Sequence, residues 1–156
     1  MLFLDEPTVG LDPRIRHELL DLIGGLAVGG DTTVLLTTHY LDEAERLCGR
    51  VAIMHKGRIA GLDSSQALRR RLGNQIVEVR ADVGPSAALA ALRGSGLAGD
   101  GAFTVGQTVT VPVPDGSAAS VLAAVTALGL PGAQISTRPP TLDDVYLRLT
   151  GDTLAA

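Results

Sequence analysis

The chain begins MLFLDEPTVGLDPRIR (residues 1–16). An apolar run, residues 1–4, breaks directly into Asp5-Glu6-Pro7, and Asp12-Pro13 follows after a short loop. The run reads as a strand of the all-apolar kind that is buried on both faces of a parallel sheet. Asp12 followed by Pro13 reads as a helix N-cap with proline at the first helical position. From there Ile15, Leu19, Leu22, Ile23 and Leu26 recur at helical spacing to about Val28, and Gly29-Gly30 close the run. TTVLLTT (residues 32–38) is β-branched and apolar, a second buried strand. Strand, helix, strand is a βαβ unit, whose two strands lie parallel.

Working outward, residues 41–48 form a short amphipathic helix carrying Asp42, Glu43 and Glu45, which reads as a solvated face. Residues 51–54 and 58–61 flank His55-Lys56-Gly57 as a β-hairpin with glycine at the turn. Ser64 or Ser65 caps a helix to Leu72, and Gly73-Asn74 closes it, a domain boundary. Beyond it the rhythm changes. Residues 75–81 alternate as a half-buried strand, 86–93 form a helix, and 102–105 with 108–113 form a hairpin. Residues 117–128 form another helix and 133–138 a last strand. Strand, helix, hairpin, helix, strand is the ferredoxin-like order. Thr141 then caps a final helix, with Asp143 and Asp144 in its first turn, where the helix dipole favours them.

In a parallel sheet, ligands collect at the carboxyl ends of the strands. Asp5 and Glu6 sit just past the first strand and His39 just past the second. Adjacent strands would bring two carboxylates and an imidazole to one rim, a place for a metal and a hydrolytic water. Composition narrows the alternatives. A net charge of −4 argues against a nucleic-acid binder, which would show a basic face. One cysteine, Cys48, cannot form an internal disulfide, so a reducing cytoplasm is expected. The first residues lack the basic region of a secretory signal. The longest uncharged stretch, residues 116–137, holds Pro131 and several polar side chains, so the chain is expected to have no transmembrane segment of its own.

LFLDEP, GLDP and LLTTH together resemble the second half of an ABC-transporter ATP-binding subunit. In that family LFLDEP is the Walker B strand with its catalytic Glu, GLDP the D-loop, and the TTH ending in His39 the switch or H-loop. LDEAERLCGRVAIMHKGRI (residues 41–59) has the same character, and the resemblance covers residues 1 to about 72. RPPTLDDVYLRLTG (residues 138–151) resembles the end of the daunorubicin-resistance, drug-export type, which carries an accessory domain after the nucleotide-binding core. The resemblance implies an α/β fold: the C-terminal part of a P-loop NTPase parallel-sheet domain over residues 1–73, a small ferredoxin-like α+β accessory domain over 74–150, and a tail at 151–156. It implies that Asp5 holds Mg2+, that Glu6 polarises the attacking water of ATP hydrolysis, and that His39 contacts the γ-phosphate and the water. Asp12 would reach across a head-to-tail homodimer interface, a role compatible with capping its helix. The implied partners are a second ATP-binding subunit and a separate transmembrane permease, and the implied place is cytoplasmic, peripheral on the inner face of the plasma membrane.

No GxxxxGK[ST] loop occurs in the sequence, and its single lysine, Lys56, lies on the hairpin. That loop is what cradles phosphates with backbone amides. The family's adenine-stacking aromatic, Q-loop and LSGGQ signature lie before Walker B and are also lacking here. The chain is therefore expected to be a carboxyl-terminal portion, inactive toward Mg-ATP alone, with exposed apolar faces on its first two strands. A non-enzymatic dimerisation or regulatory module built on the ferredoxin-like part is the alternative. A repair-type P-loop ATPase is a third reading, for which the accessory tail would be unexpected.

Overall fold

The computed structural model describes residues 1–29, 32–113 and 118–151. The chain forms two compact units, Met1–Val51 and Ala52–Ala156. In the first, β1 (Leu2–Asp5) and β2 (Val34–Thr37) lie side by side and parallel, in the register Leu2↔Val34 to Asp5↔Thr37. The connection is α1 (Pro13–Val28), the kind of crossover a parallel pair requires. α2 (Leu41–Leu47) follows β2 and packs on α1. Leu20 and Ile23 of α1 and Ala44 of α2 supply buried apolar side chains.

The structure leaves one apolar face of this pair exposed, as expected for these two strands, where all-apolar strands of a complete parallel sheet are buried on both. Side chains alternate across a strand, so residues 3 and 5 of β1 share a face with their partners 35 and 37 of β2. On that face Phe3 is 67% and Leu35 51% exposed. Leu2, Leu4, Val34 and Leu36, on the other face, are half-buried.

The second unit opens within the hairpin of β3 (Val51–His55) and β4 (Arg58–Asp63). Lys56 and Gly57, at φ of 48° and 74°, form the two-residue turn. Two successive left-handed positions match the twist of the flanking strands, and glycine meets the second without steric cost. Ser64 caps α3 (Ser65–Arg70), its hydroxyl accepting from the Ala67 amide at 3.2 Å. There follow β5 (Gln75–Arg80), α4 (Pro85–Gly94), β6 (Phe103–Val105), β7 (Thr108–Val113), α5 (Ala118–Ala127) and β8 (Gln134–Arg138). The strands form a sheet in the order β6-β7-β5-β8, with every neighbouring pair antiparallel. Val77, Val79, Val109 and Val111 cluster with Ala88 and Leu92 of α4 and Val125 of α5.

The last helix, α6 (Leu142–Thr150), packs on α3 and β4. The approach is close: a Cβ at Gly61 would lie 3.0 Å from Leu149 Cδ1. Residues 52–73 thus share a compact unit with the four-stranded sheet, where α3 and β4 dock on the chain's last helix. The whole is mixed α/β with small sheets, consistent with part of an ABC ATPase. Gly30 at the expected end of α1, Ser117 at the expected start of α5, and the expected tail after Gly151 lie outside the described residues. Among the described residues no helix is long and apolar enough to cross a membrane.

Candidate functional site

The parallel pairing of β1 and β2 decides where the polar residues go. Asp5 ends β1 directly opposite Thr37, which ends β2, and the Thr37 hydroxyl donates to Asp5 Oδ1. One residue on, the Glu6 amide donates to the Thr37 carbonyl at 3.0 Å and reaches the Thr37 hydroxyl oxygen at 3.2 Å. Glu6 itself sits at φ 44°, a left-handed conformation that is uncommon for a non-glycine residue. Such backbone persists where surrounding bonds over-determine it, and here the amide is held by β2. His39 Nδ1 lies 3.3 Å from Glu6 Oε1, with the two side chains 53% and 49% exposed. At that exposure the pair contributes little to stability. What it fixes is geometry, an imidazole and a carboxylate facing each other on an open rim.

Asp12 sits where the sequence suggests, its Oδ1 accepting from the Arg14 and Ile15 amides at 3.0 and 3.1 Å. It is the N-cap of α1, and it is exposed. Among the described residues no three His, Cys, Asp or Glu side chains converge as a metal-binding set. Asp5 nonetheless suits Mg2+, which takes one or two carboxylates and completes its shell with waters and substrate phosphates. Its carboxylate is a hard oxygen donor, exposed at a strand end. The residues of this chain do not fit the phosphate chain of ATP in the same way. The glycine-rich loop is not among them, and Lys56 lies on the β3–β4 turn.

Behind the rim lies a cluster that the sequence reading missed. Glu43 is not on a solvated face; it is 1% exposed. Its Oε1 accepts from Thr8 Oγ1 and from Arg16 Nε, both at 2.7 Å, and its Oε2 accepts from Thr38 Oγ1 at 2.9 Å. Arg16 also reaches Asp42 at 3.3 Å and lies 4.1 Å from the Tyr40 ring centroid. A buried carboxylate is tolerable when paired and fully hydrogen-bonded, and Glu43 meets that condition. The signal was in the sequence: Tyr40, Glu43, Ala44 and Leu47 occupy i, i+3, i+4 and i+7, so position 43 completes the inward stripe of α2. Asp42 does face solvent as expected, with its side chain 76% exposed.

In the second unit the RPPTLDDV segment is accounted for structurally. Thr141 and Asp144 form a reciprocal capping box at the start of α6. Arg138 on β8 clamps the same Asp144 carboxylate through two bonds of 2.6 and 2.8 Å and reaches Glu78 on β5 at 2.7 Å. Burial acts to raise the Asp144 carboxyl. The bonds from Arg138 and Thr141 outweigh it and hold the group below the usual carboxylate range. Arg138 is correspondingly raised, chiefly by its bond to Asp144.

No family model matches the chain. The chain is 40% identical over 156 residues to the daunorubicin resistance ATP-binding protein DrrA3 of Streptomyces coeruleorubidus, an alignment covering 97% of this chain and 48% of that protein. The daunorubicin/doxorubicin resistance ATP-binding protein DrrA of Streptomyces peucetius is 46% identical over 80 residues, 51% of this chain and 24% of that protein. The Nod factor export ATP-binding protein I of Burkholderia orbicola is 36% identical over 152 residues, 97% of this chain and 47% of that protein. The chain spans about half the length of DrrA3 and of the Nod factor export protein. Over that half, the chain is similar to ATP-binding subunits of ABC transporters, of the daunorubicin-resistance type.

Proposed function

We propose that these elements work within an ABC ATP-binding subunit that couples ATP binding and hydrolysis to the export of drugs or other hydrophobic compounds. The observation that carries the reading is the facing of Glu6 and His39 at 3.3 Å across two parallel strands. It occurs in a chain that matches daunorubicin resistance and Nod factor export ATP-binding proteins over 97% of its length. In this reading Glu6 polarises the attacking water as general base. His39, beside Glu6, would contact the γ-phosphate and the water as an electrostatic stabiliser. Asp5 would hold Mg2+, which when bound neutralises charge on the phosphates. Asp12, besides capping α1, would face the second subunit of a head-to-tail dimer.

The first 73 residues then correspond to the carboxyl-terminal part of the nucleotide-binding domain, and residues 74–150 to a ferredoxin-like accessory domain. The strand order β6-β7-β5-β8 and its uniformly antiparallel pairing support the latter assignment. The subunit would act at the inner face of the plasma membrane beside a separate permease.

The test is ATP hydrolysis by the intact subunit. Glu6→Gln should lower the rate by about 10²- to 10⁴-fold, the worth of a positioned general base, and an unchanged rate overturns the reading. The 156-residue chain alone should neither bind nor turn over Mg-ATP, because it carries no phosphate-binding loop. Turnover by it that Glu6→Gln abolishes would contradict this. A second reading, a non-enzymatic dimerisation or regulatory module, draws on the self-contained core of the four-stranded sheet.

A further inference from the structure

Glu43 is a buried titratable group that the proposed hydrolysis does not use. Its three bonds draw together three separate segments. Thr8 stands two residues after Glu6 in the loop leaving β1, Arg16 is on α1, and Thr38 immediately precedes His39 in the loop leaving β2. Thr8 is 2% exposed, so its hydroxyl has been taken out of water to meet this carboxylate. Thr38 Oγ1, while donating to Glu43, also accepts from the Tyr40 amide at 3.0 Å, which fixes the backbone on the far side of His39. His39 is therefore bracketed by a residue bonded to Glu43 and by the amide bonded to that same residue. Bonds to an ionised acceptor are shorter and about twice as strong as neutral ones, which suits a clasp on two loops. α1 and α2 are in contact, and both bury apolar side chains, Leu20, Ile23 and Ala44. Tying the helices together thus does not by itself require a buried charge.

We propose that Glu43 is a positioning residue. It clasps the loops after β1 and β2 through Thr8 and Thr38, and so sets the spacing of His39 against Glu6. The proposal rests on the hydrolytic reading of that pair.

The test is steady-state ATP hydrolysis by the intact subunit, with each variant assayed well below its own unfolding midpoint. Glu43→Ala and the shape-conserving Thr38→Val should each lower kcat about tenfold, within the 10²-fold that a displacement of about 1 Å can cost. KM for Mg-ATP should stay within about twofold, since the clasp touches neither phosphate nor base. In a His39→Ala background the same substitutions should change kcat by less than about twofold, because the group they act through is gone. Undiminished kcat in the folded variants overturns the proposal. So does an equal loss in the His39→Ala background, which would mark a structural effect. If Glu43→Ala does not fold, Thr38→Val, which removes only a hydroxyl, decides alone. Glu6→Gln in parallel separates the two claims. If it leaves hydrolysis unchanged, the functional reading fails and takes this inference with it. If it abolishes hydrolysis while Thr38→Val does not lower kcat, only the inference fails.

Discussion

Two acidic residues show how the same side-chain chemistry is put to different uses by position. Asp12 sits outside a helix and spends its carboxylate on the Arg14 and Ile15 amides, groups that an α-helix cannot satisfy internally. Asp12→Ala should cost about 0.5–2 kcal/mol, read as faster amide exchange at Arg14 and Ile15 and an earlier urea transition for the first unit. Asp144 also caps a helix, but it is buried and clamped by Arg138. Its folded-state carboxyl lies below the ordinary 3.8, so the stabilisation it brings is present above that value. The stabilisation is lost as pH falls through the lower, folded value. Urea midpoints at pH 7 and pH 3 should therefore differ less for Asp144→Asn than for the unsubstituted chain. An equal acid-induced drop in both would show that other carboxylates carry it.

At the scale of elements, α3 and α6 depend on each other although some 70 residues of sequence separate them. Leu68 on α3 and Leu142 on α6 are both fully buried, and Gly61 lets Leu149 approach β4. Leu68→Ala should cost about 2–5 kcal/mol, the range for emptying a packed leucine site, and should loosen α6 along with α3. Hydrogen exchange resolved by residue would show this coupling, and protection lost from α3 alone would refute it. Most elements were legible beforehand, because short apolar runs, helical spacing and the Gly57 turn are local signals. Glu43 was misread because its neighbours, Asp42 and Glu45, suggested a charged face. Only the stripe from Tyr40 to Leu47 betrayed that position 43 points inward.

For the whole molecule, the consequence lies in where the chain divides. The hairpin β3–β4 and α3 belong with the four-stranded sheet and α6, so limited proteolysis should leave a core beginning near Ala52. A resistant product of residues 74–150, from which α3 has been cut away, would contradict the division. The exposed Phe3 and Leu35 make the opposite kind of prediction from the buried leucines. Phe3→Ser should change the stability of this chain by less than about 0.5 kcal/mol, as for other surface sites.

The order of elements, the family resemblance, and the placing of Asp5, Glu6 and His39 at strand ends are all legible in the residues. Those features follow from local periodicity, from capping chemistry, and from motifs contiguous along the chain. The tertiary structure alone decided that β1 and β2 are adjacent, so that His39 meets Glu6 at 3.3 Å. It alone decided which face of that sheet is left exposed, and that Glu43 is buried among Thr8, Arg16 and Thr38. These are contacts between residues some 5 to 35 positions apart. Their partners are chosen by packing and by the need to satisfy a charge removed from water, and neither can be computed from neighbours in sequence.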